Sequence, residues 1–429
     1  METVAIAPGG ELGVRRNPAL LKLDLYCLGA RIDDALHVVG EGGRPVLRTR
    51  AGLGSGLELV LPGGLWTNVP VDEPFARRSP YLVTRRRDGT IGLDRDGRPV
   101  ADVQLAPRPA WYDRRTASGK PMTSIGTLQG TYLGIYPARV CEFWTRRPER
   151  TNCHFCSVGL NLGADDADDK AVADVVEVAI AARRESDITY VDFNTGHDDD
   201  EGFLDRLEPY VRAVKEATGC LIGVQSPPHH DLARYDRLKK LGVNRVSFCF
   251  ELFDPDRFVE VCPGKAQHYG LQRYLDAIEY CAALGRRDRN RSAPWVTNGE
   301  IIAGLEPPES SIAAIHWLTE RGAIPTVCVF RPLRGTDYED LPPPRTEDVV
   351  PIFAALWEAS MRHGLPIGLA PNVHVSLVML PEEAASLVPP SIRRRHAARR
   401  ALLAVQGGLF RRMLRRRLRA HDRARAEAE

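Results

Sequence analysis

Nowhere in the 429 residues does an apolar run approach the ~18 residues of a membrane-spanning helix, so the chain is not expected to cross a bilayer. Net charge is almost absent too. The 58 Lys and Arg face 56 Asp and Glu, for a formal +2, so the whole molecule has no strong field drawing it to nucleic acid or lipid. The opening "METVAIAPGGELGVRR" lacks a charged start followed by an apolar core, and the expected location is cytoplasmic. The nine cysteines, an odd number, are then expected to stay reduced, which argues against a disulfide framework. A second Cys-x-x-Cys pair is missing, as is any short-period internal repeat.

What is present falls into three stretches. Residues 1–125 are rich in Gly, Pro and Arg, with alternating runs "RPVLRTR", "LELVL" and "RPVADVQL" set off by turn signals "DGT" and "DGR". They read as a β-rich or mixed N-terminal region. From about Thr131, strand-like runs alternate with helices. The strands are "TYLGIYPARV", "ITYVDFN", "CLIGVQS", "RVSFCFE", "WVTNGEIIAG", "PTVCVFRP" and "PIGLAPN", and amphipathic segments such as "KAVADVVEVAIAARRE" lie between them. Six or seven such units over residues 126–380 predict an α/β fold, a partial or near-complete parallel (β/α) barrel. Residues 381–429 read as a helical, Arg-rich extension, with Leu409, Phe410, Met413 and Leu418 as one apolar stripe to pack on the body. A surface for nucleic acid, anionic lipid or a partner is the alternative for that tail.

The segment "VCEFWTRRPERTNCHFCSVGLNLG" concentrates Cys141, Cys153 and Cys156 just after the first barrel strand, at the end of the fold that carries chemistry. Zinc would need a fourth ligand, and His154, wedged inside the Cys-x-x-Cys loop, is poorly placed to face the same ion as its neighbours. A thioredoxin-type pair leaves Cys141 unexplained. Three thiolates suit a [4Fe–4S] cluster with one iron left open for a ligand. Cys27, Cys220, Cys249, Cys281 and Cys328 sit among apolar neighbours and are expected to pack as small hydrophobes, while Cys262 is on a loop near the pocket.

These residues and the barrel behind them resemble the radical S-adenosylmethionine (SAM) superfamily, although the first spacing is Cys-x11-Cys where Cys-x3-Cys is commonest. The resemblance implies an enzyme whose cluster cysteines are Cys141, Cys153 and Cys156. SAM would chelate the open iron and be cleaved reductively to a 5′-deoxyadenosyl radical that abstracts hydrogen from substrate. Phe155 would lie near SAM, with Asn194, Thr195 and Gly196 as the backbone segment meeting its amino group. "RVSFCFELFDPD" places Glu251 at the pocket, Arg273 matches a helix arginine that binds the SAM carboxylate, and Ile302 and Glu306 fall in the element that packs on adenine. Lys265, His268 and Arg331 are candidates on the substrate side, and His197, His268 or His374 could supply an acid or base. The upstream "SPYLV" and "PRPAWYD" with "PGKAQ" look closest to a radical SAM group associated with nitrilase gene clusters. The absence of cysteine after Pro381 argues against an auxiliary cluster there.

The function expected is hydrogen abstraction from a small-molecule substrate, with a reducing partner such as flavodoxin or ferredoxin. The N-terminal region or the tail is expected to shield the barrel mouth. The alternatives are modification of a nucleic acid or peptide, with the Arg-rich tail as handle, and a non-enzymatic zinc-binding scaffold. Nucleic acid is disfavoured, because no RNA-binding or peptide-binding segment is recognisable.

Overall fold

The computed structural model describes residues 13–14, 17–34, 36, 56–146, 148–287, 294–365 and 373–427. Two sheets organise them. The first has six strands in the order β1-β4-β5-β6-β2-β3. They are β1 (Arg31–Ile32), β2 (Leu57–Leu61), β3 (Leu65–Val69), β4 (Tyr81–Arg85), β5 (Ile91–Arg95) and β6 (Arg98–Leu105). The "LELVL" and "RPVADVQL" runs are thus strands, whereas "RPVLRTR" lies outside the described residues. Helix α1 (Pro18–Leu28) precedes them. Asn17 caps it by accepting from the Leu20 N–H, and Pro18 supplies the fixed φ of a helix start.

The second sheet runs β13-β12-β11-β10-β9-β8-β7. Strand β7 (Thr127–Leu128) pairs antiparallel with β8 (Leu133–Ile135), and every later pairing is parallel. These are β9 (Tyr190–Asn194), β10 (Leu221–Gln225), β11 (Arg245–Glu251), β12 (Val296–Ala303) and β13 (Ile324–Val329). Crossover helices separate them: α2 (Val172–Ser186), α3 (Phe203–Thr218), α4 (Ala233–Lys240), then α5 (Pro255–Val261), α6 (Pro263–His268) and α7 (Gly270–Arg287), and α8 (Pro308–Glu320). After β13 comes α9 (Thr346–His363). The six parallel strands form a partial (β/α) barrel, because β8 and β13 do not pair with each other. The expected strand "PIGLAPN" lies outside the described residues.

The N-terminal sheet braces one wall of this barrel. Asn68 on β3 donates its N–H to the Ser376 carbonyl at 2.9 Å, and Tyr26 on α1 donates its hydroxyl to the same oxygen at 2.6 Å. Arg331, just past β13, donates to Asn68 Oδ1 at 2.9 Å and to its carbonyl at 2.6 Å. One continuous apolar core accordingly runs from α1 through the barrel to Leu418.

A buried ionic cluster lies beneath α1. Lys22 Nζ meets Glu383 at 2.7 Å, close to Glu58 and Glu382. Burial pushes the Glu58 carboxyl up to about 7 and that of Glu382 up to about 8, from an ordinary 4.5. A carboxyl whose folded pKa is raised holds its proton longer in the fold than in the unfolded chain. The stability it contributes is fully present below 4.5 and is lost as pH rises through 7 to 8. The melting temperature should therefore decline between about pH 5 and pH 8. Thermal scans of Glu58→Gln with Glu382→Gln should show a flatter profile; an unchanged slope would place the titration elsewhere.

The tail is helical, as expected, but its buried stripe differs. In α10 (Ala397–Ala426) the buried residues are Leu403, Leu414 and Leu418; Phe410 and Met413 are half-buried, and Leu409 is 59% exposed. Side-chain bonds reach from Arg417 to the Gly219 carbonyl, from Arg425 to that of Ala217 and from His421 to that of Glu216. Those carbonyls precede β10, at the end of the barrel opposite its strand C-termini. The tail does not cover the mouth, which corrects that expectation.

Candidate active site

The unusual eleven-residue interval between Cys141 and Cys153 folds back on itself. Cys141 opens a single helical turn, Glu142–Thr145, and the Thr151 N–H returns to the Phe143 carbonyl at 3.0 Å. Phe143 stacks on His197 with ring centroids 4.0 Å apart. The loop after β8 is tied to the loop after β9 in both directions: Glu142 N–H donates to the His197 carbonyl at 3.0 Å, and His197 N–H donates to Cys141 Sγ at 3.4 Å. The other end is fastened by Gly264 N–H to the Thr151 carbonyl at 2.9 Å and by His154 N–H to the Val261 carbonyl at 3.0 Å. The hairpin thereby returns Cys153 and Cys156 to the cavity that Cys141 lines.

That cavity, of about 120 Å³, is lined by all three cysteines together with Phe155, Asn194, Thr195, Gly196, Glu251 and Lys265. A methyl group at Gly196 would stand 2.6 Å from Cys141 Cβ and 2.6 Å from the Tyr136 hydroxyl, so only glycine lets the turn after β9 approach the first cysteine. Burial pushes the Cys141 thiol up to about 11 and that of Cys156 up to about 12. Cys153 is held lower, first by a hydrogen bond from the neighbouring Cys262 thiol. One buried polar atom on the same lining, Tyr274 Oη, has no hydrogen-bond partner among the described residues.

A second cavity of about 90 Å³ opens on the concave face of the sheet and shares Phe155, Asn194, Gln225, Cys249 and Glu251 with the first. Its floor is polar because every second strand residue faces it. Arg245 meets Asp192 at 3.1 Å and Glu300 at 2.7 Å, and Gln225 donates to Glu300 at 2.7 Å. Burial opposes the charge on Arg245, but the surrounding Tyr190, Asp192 and Glu300 outweigh it and keep it cationic. Ile302, Thr326, Cys328, Val375, Leu377 and Val378 complete the wall. The last three belong to the segment that the N-terminal sheet braces.

Glu251 stands where the cavities meet. It has a φ of 71°, uncommon for a side chain with a Cβ, and follows an irregularity in the β11–β12 register between Cys249 and Glu251. Lys265 bonds it at 2.9 Å and also donates to the Cys249 carbonyl at 2.6 Å. Glu306 steadies the following turn, accepting from the Phe253 and Asp254 N–H groups at 2.8 and 2.9 Å.

Of the other sequence-derived candidates, His197 lines the first cavity and the rest line neither. Arg273 is engaged by Glu201 at 2.6 Å. His268 lies beside His197, with ring centroids 4.2 Å apart, and His374 is exposed. Arg331 is turned toward Asn68 rather than into the barrel. The His154 ring packs edge-on against Tyr338. Conversely, Cys249 and Cys328, expected as packing residues, line the second cavity, whereas Cys262 is fully buried. Asp192, Arg245 and Glu300 were not singled out. Their signal was the alternation of polar residues within "YVDFN", "RVSFCFE" and "NGEII", which buried apolar strands lack.

Among the described residues, two sets of three His, Cys, Asp or Glu bring ligand atoms within 4.8 Å of one another. They are His197, Asp199 and His268, and Glu201, His229 and His230; neither contains a cysteine. Thiolates sharing one tetrahedral ion at 2.3 Å would sit about 3.8 Å apart. The cysteines are thus set more openly than a single ion requires, whereas in an iron–sulfur cube each sulfur has an iron of its own.

No protein-family model matches the chain. A curated protein, bacteriochlorophyllide c C-7(1)-hydroxylase of Chlorobaculum limnaeum, is 29% identical over 123 residues, or 29% of this chain and 29% of that protein. The chain therefore matches under a third of that relative's length. Among solved structures, methylornithine synthase aligns at TM-score 0.39 and 16% identity over 53% of this chain and 62% of its own. HydG, a maturase of the FeFe-hydrogenase, aligns at 0.40 and 13% identity over 52% and 48%. Coproporphyrinogen III oxidase of Escherichia coli, a radical SAM enzyme, aligns at 0.32 and 14% identity over 47% and 47%. Overlaps this shallow carry no weight for fold or chemistry, which rest on the sheet order and the cavity lining.

Proposed function

We propose that this chain is a radical SAM enzyme acting on a small molecule, of the group associated with nitrilase gene clusters. The observation that carries this reading is one cavity, at the C-terminal ends of parallel strands, lined jointly by three thiols and the Asn194–Thr195–Gly196 turn. The donor set fits a [4Fe–4S] cluster, which Cys141, Cys153 and Cys156 would hold, leaving one iron without a protein thiolate. When bound, the cluster supplies the electron that cleaves SAM to a 5′-deoxyadenosyl radical.

The chain's own residues bind, orient and shield. The Asn194–Gly196 backbone and Glu251 offer polar contacts to the amino-acid end of SAM, while Phe155 and Ile302 offer apolar ones. The second cavity holds substrate against Arg245, Asp192 and Glu300, and its apolar wall at Val375–Val378 keeps water from the radical. A flavodoxin or ferredoxin is the proposed electron donor, and the cytoplasm the proposed location; no helix among the described residues is long and apolar enough to cross a membrane.

Anaerobic reconstitution tests this directly. The expected result is about four irons and four sulfides per chain, and 5′-deoxyadenosine from SAM on reduction. Stoichiometric zinc without SAM cleavage would instead establish the scaffold reading. A finer test separates two proposed SAM contacts. Losing a charged hydrogen bond costs about 1.5–3 kcal/mol, so Glu251→Gln should weaken SAM binding at least about tenfold with cluster iron unchanged. Arg273→Ala, whose guanidinium is engaged by Glu201, should change affinity less than about threefold; a larger loss would return Arg273 to the SAM site.

A further inference from the structure

The outward face of α10 plays no part in the site, and it is built unlike the rest of the surface. Ten of the helix's 30 residues are arginine, against one acid, Asp422. Five large apolar side chains are exposed among the described residues, and three of them, Leu402 at 56%, Val405 at 61% and Leu409 at 59%, lie on this helix. At 100° per residue these three share an arc of about 100° with Arg412, Arg416, Arg419 and Arg423, which continue the same line toward the C-terminus. All four arginines are exposed, and none of these four enters an ion pair among the described residues. The opposite face, through Leu403, Leu414 and Leu418, is committed to the barrel. The helix therefore lies flat on the body and presents one straight stripe from Leu402 to Arg423, apolar in its first half and cationic in its second, about 32 Å long in all.

We propose that this stripe docks the enzyme on an anionic lipid surface, with Leu402, Val405 and Leu409 entering the headgroup boundary and the arginine row meeting lipid phosphates. The chemistry of the stripe selects this occupant. A nucleic-acid backbone would satisfy the arginines but leave the three apolar side chains against phosphate and water. An acidic electron donor bound here would stand at the end of the barrel opposite the cysteine cavity. A lipid interface accommodates both halves together, since each basic residue near an anionic leaflet and each buried methylene adds to the attraction. The proposal is independent of the radical SAM reading.

The test is flotation of the full chain with vesicles of phosphatidylcholine alone or mixed in equal parts with phosphatidylglycerol. Binding is expected to the anionic vesicles only and to weaken as salt is raised. The combined change Arg412→Gln, Arg416→Gln, Arg419→Gln and Arg423→Gln should lower the partition coefficient by roughly a hundredfold or more. Leu402→Ser with Val405→Ser and Leu409→Ser should lower it by roughly tenfold or more. Both variants should keep the wild-type thermal midpoint, because the stripe faces away from the body. Absence of wild-type chain from the floated anionic vesicles at low salt would overturn the proposal, as would a serine variant that binds like the wild type. Tight binding of single-stranded RNA without vesicle flotation would overturn it in favour of nucleic acid.

Discussion

Cys141→Ala, Cys153→Ala and Cys156→Ala should each abolish reductive SAM cleavage and leave the reconstituted protein with well under four irons per chain. Cys281→Ala should lose neither. The contrast rests on placement: the first three thiols line one cavity, whereas Cys281 is fully buried in α7 among apolar neighbours. In the proposed cluster each thiolate would hold a separate iron, so two remaining sulfurs would leave a second iron open and the cluster labile. Iron analysis and the absorption of the anaerobically reconstituted variants separate cluster loss from unfolding, which far-ultraviolet circular dichroism monitors. Full iron and full cleavage in Cys141→Ala would remove the first ligand from the assignment, and with it the meaning of the Phe143–Thr151 hairpin.

Arg245→Met should be the most destabilising single change in the barrel. Arg245 is 3% exposed and joins Asp192 to Glu300 across the second cavity, with Tyr190 and Ser247 completing the hydrogen bonds. Removing the cation leaves two buried carboxyls facing each other, and breaking a buried pair in this way costs about 3–5 kcal/mol. Urea denaturation should show that loss. Arg245→Met combined with Asp192→Asn and Glu300→Gln should recover much of it, since no unpaired charge then remains. If the single variant unfolds at the wild-type midpoint, the Arg245 bridge contributes nothing to stability and the ionic reading of the triad fails. Any substrate seated there would also lose its main charged anchor, so activity should not return with stability in the triple variant.

Much of the architecture was legible because local chemistry and fold agree. Strand runs such as "ITYVDFN" and "CLIGVQS" alternate with amphipathic helices, and that rhythm admits few topologies besides a parallel sheet. Gly196 could be read as a close-approach position. Glu251 could be read as a carboxylate breaking an apolar run at a strand end. Less could be said of Arg273 and Arg331. Their charge matched a role, but charge is satisfied by whichever partner the fold brings near, here Glu201 and Asn68. The tail stripe is legible in part: Leu418 is buried and Phe410 and Met413 are half-buried, whereas Leu409 is exposed, because only docking against the body decides which of several chemically alike side chains are covered.

The sequence alone determined the alternation of elements, the three-cysteine segment and its position after the first barrel strand. All of these follow from spacing along the chain. Tertiary structure alone decided that an eleven-residue excursion closes into a hairpin, that polar residues from three strands meet as one ionic floor, and which face of the last helix looks outward. Those outcomes depend on side chains far apart in sequence competing for the same partners and the same buried space, and no local pattern records who wins.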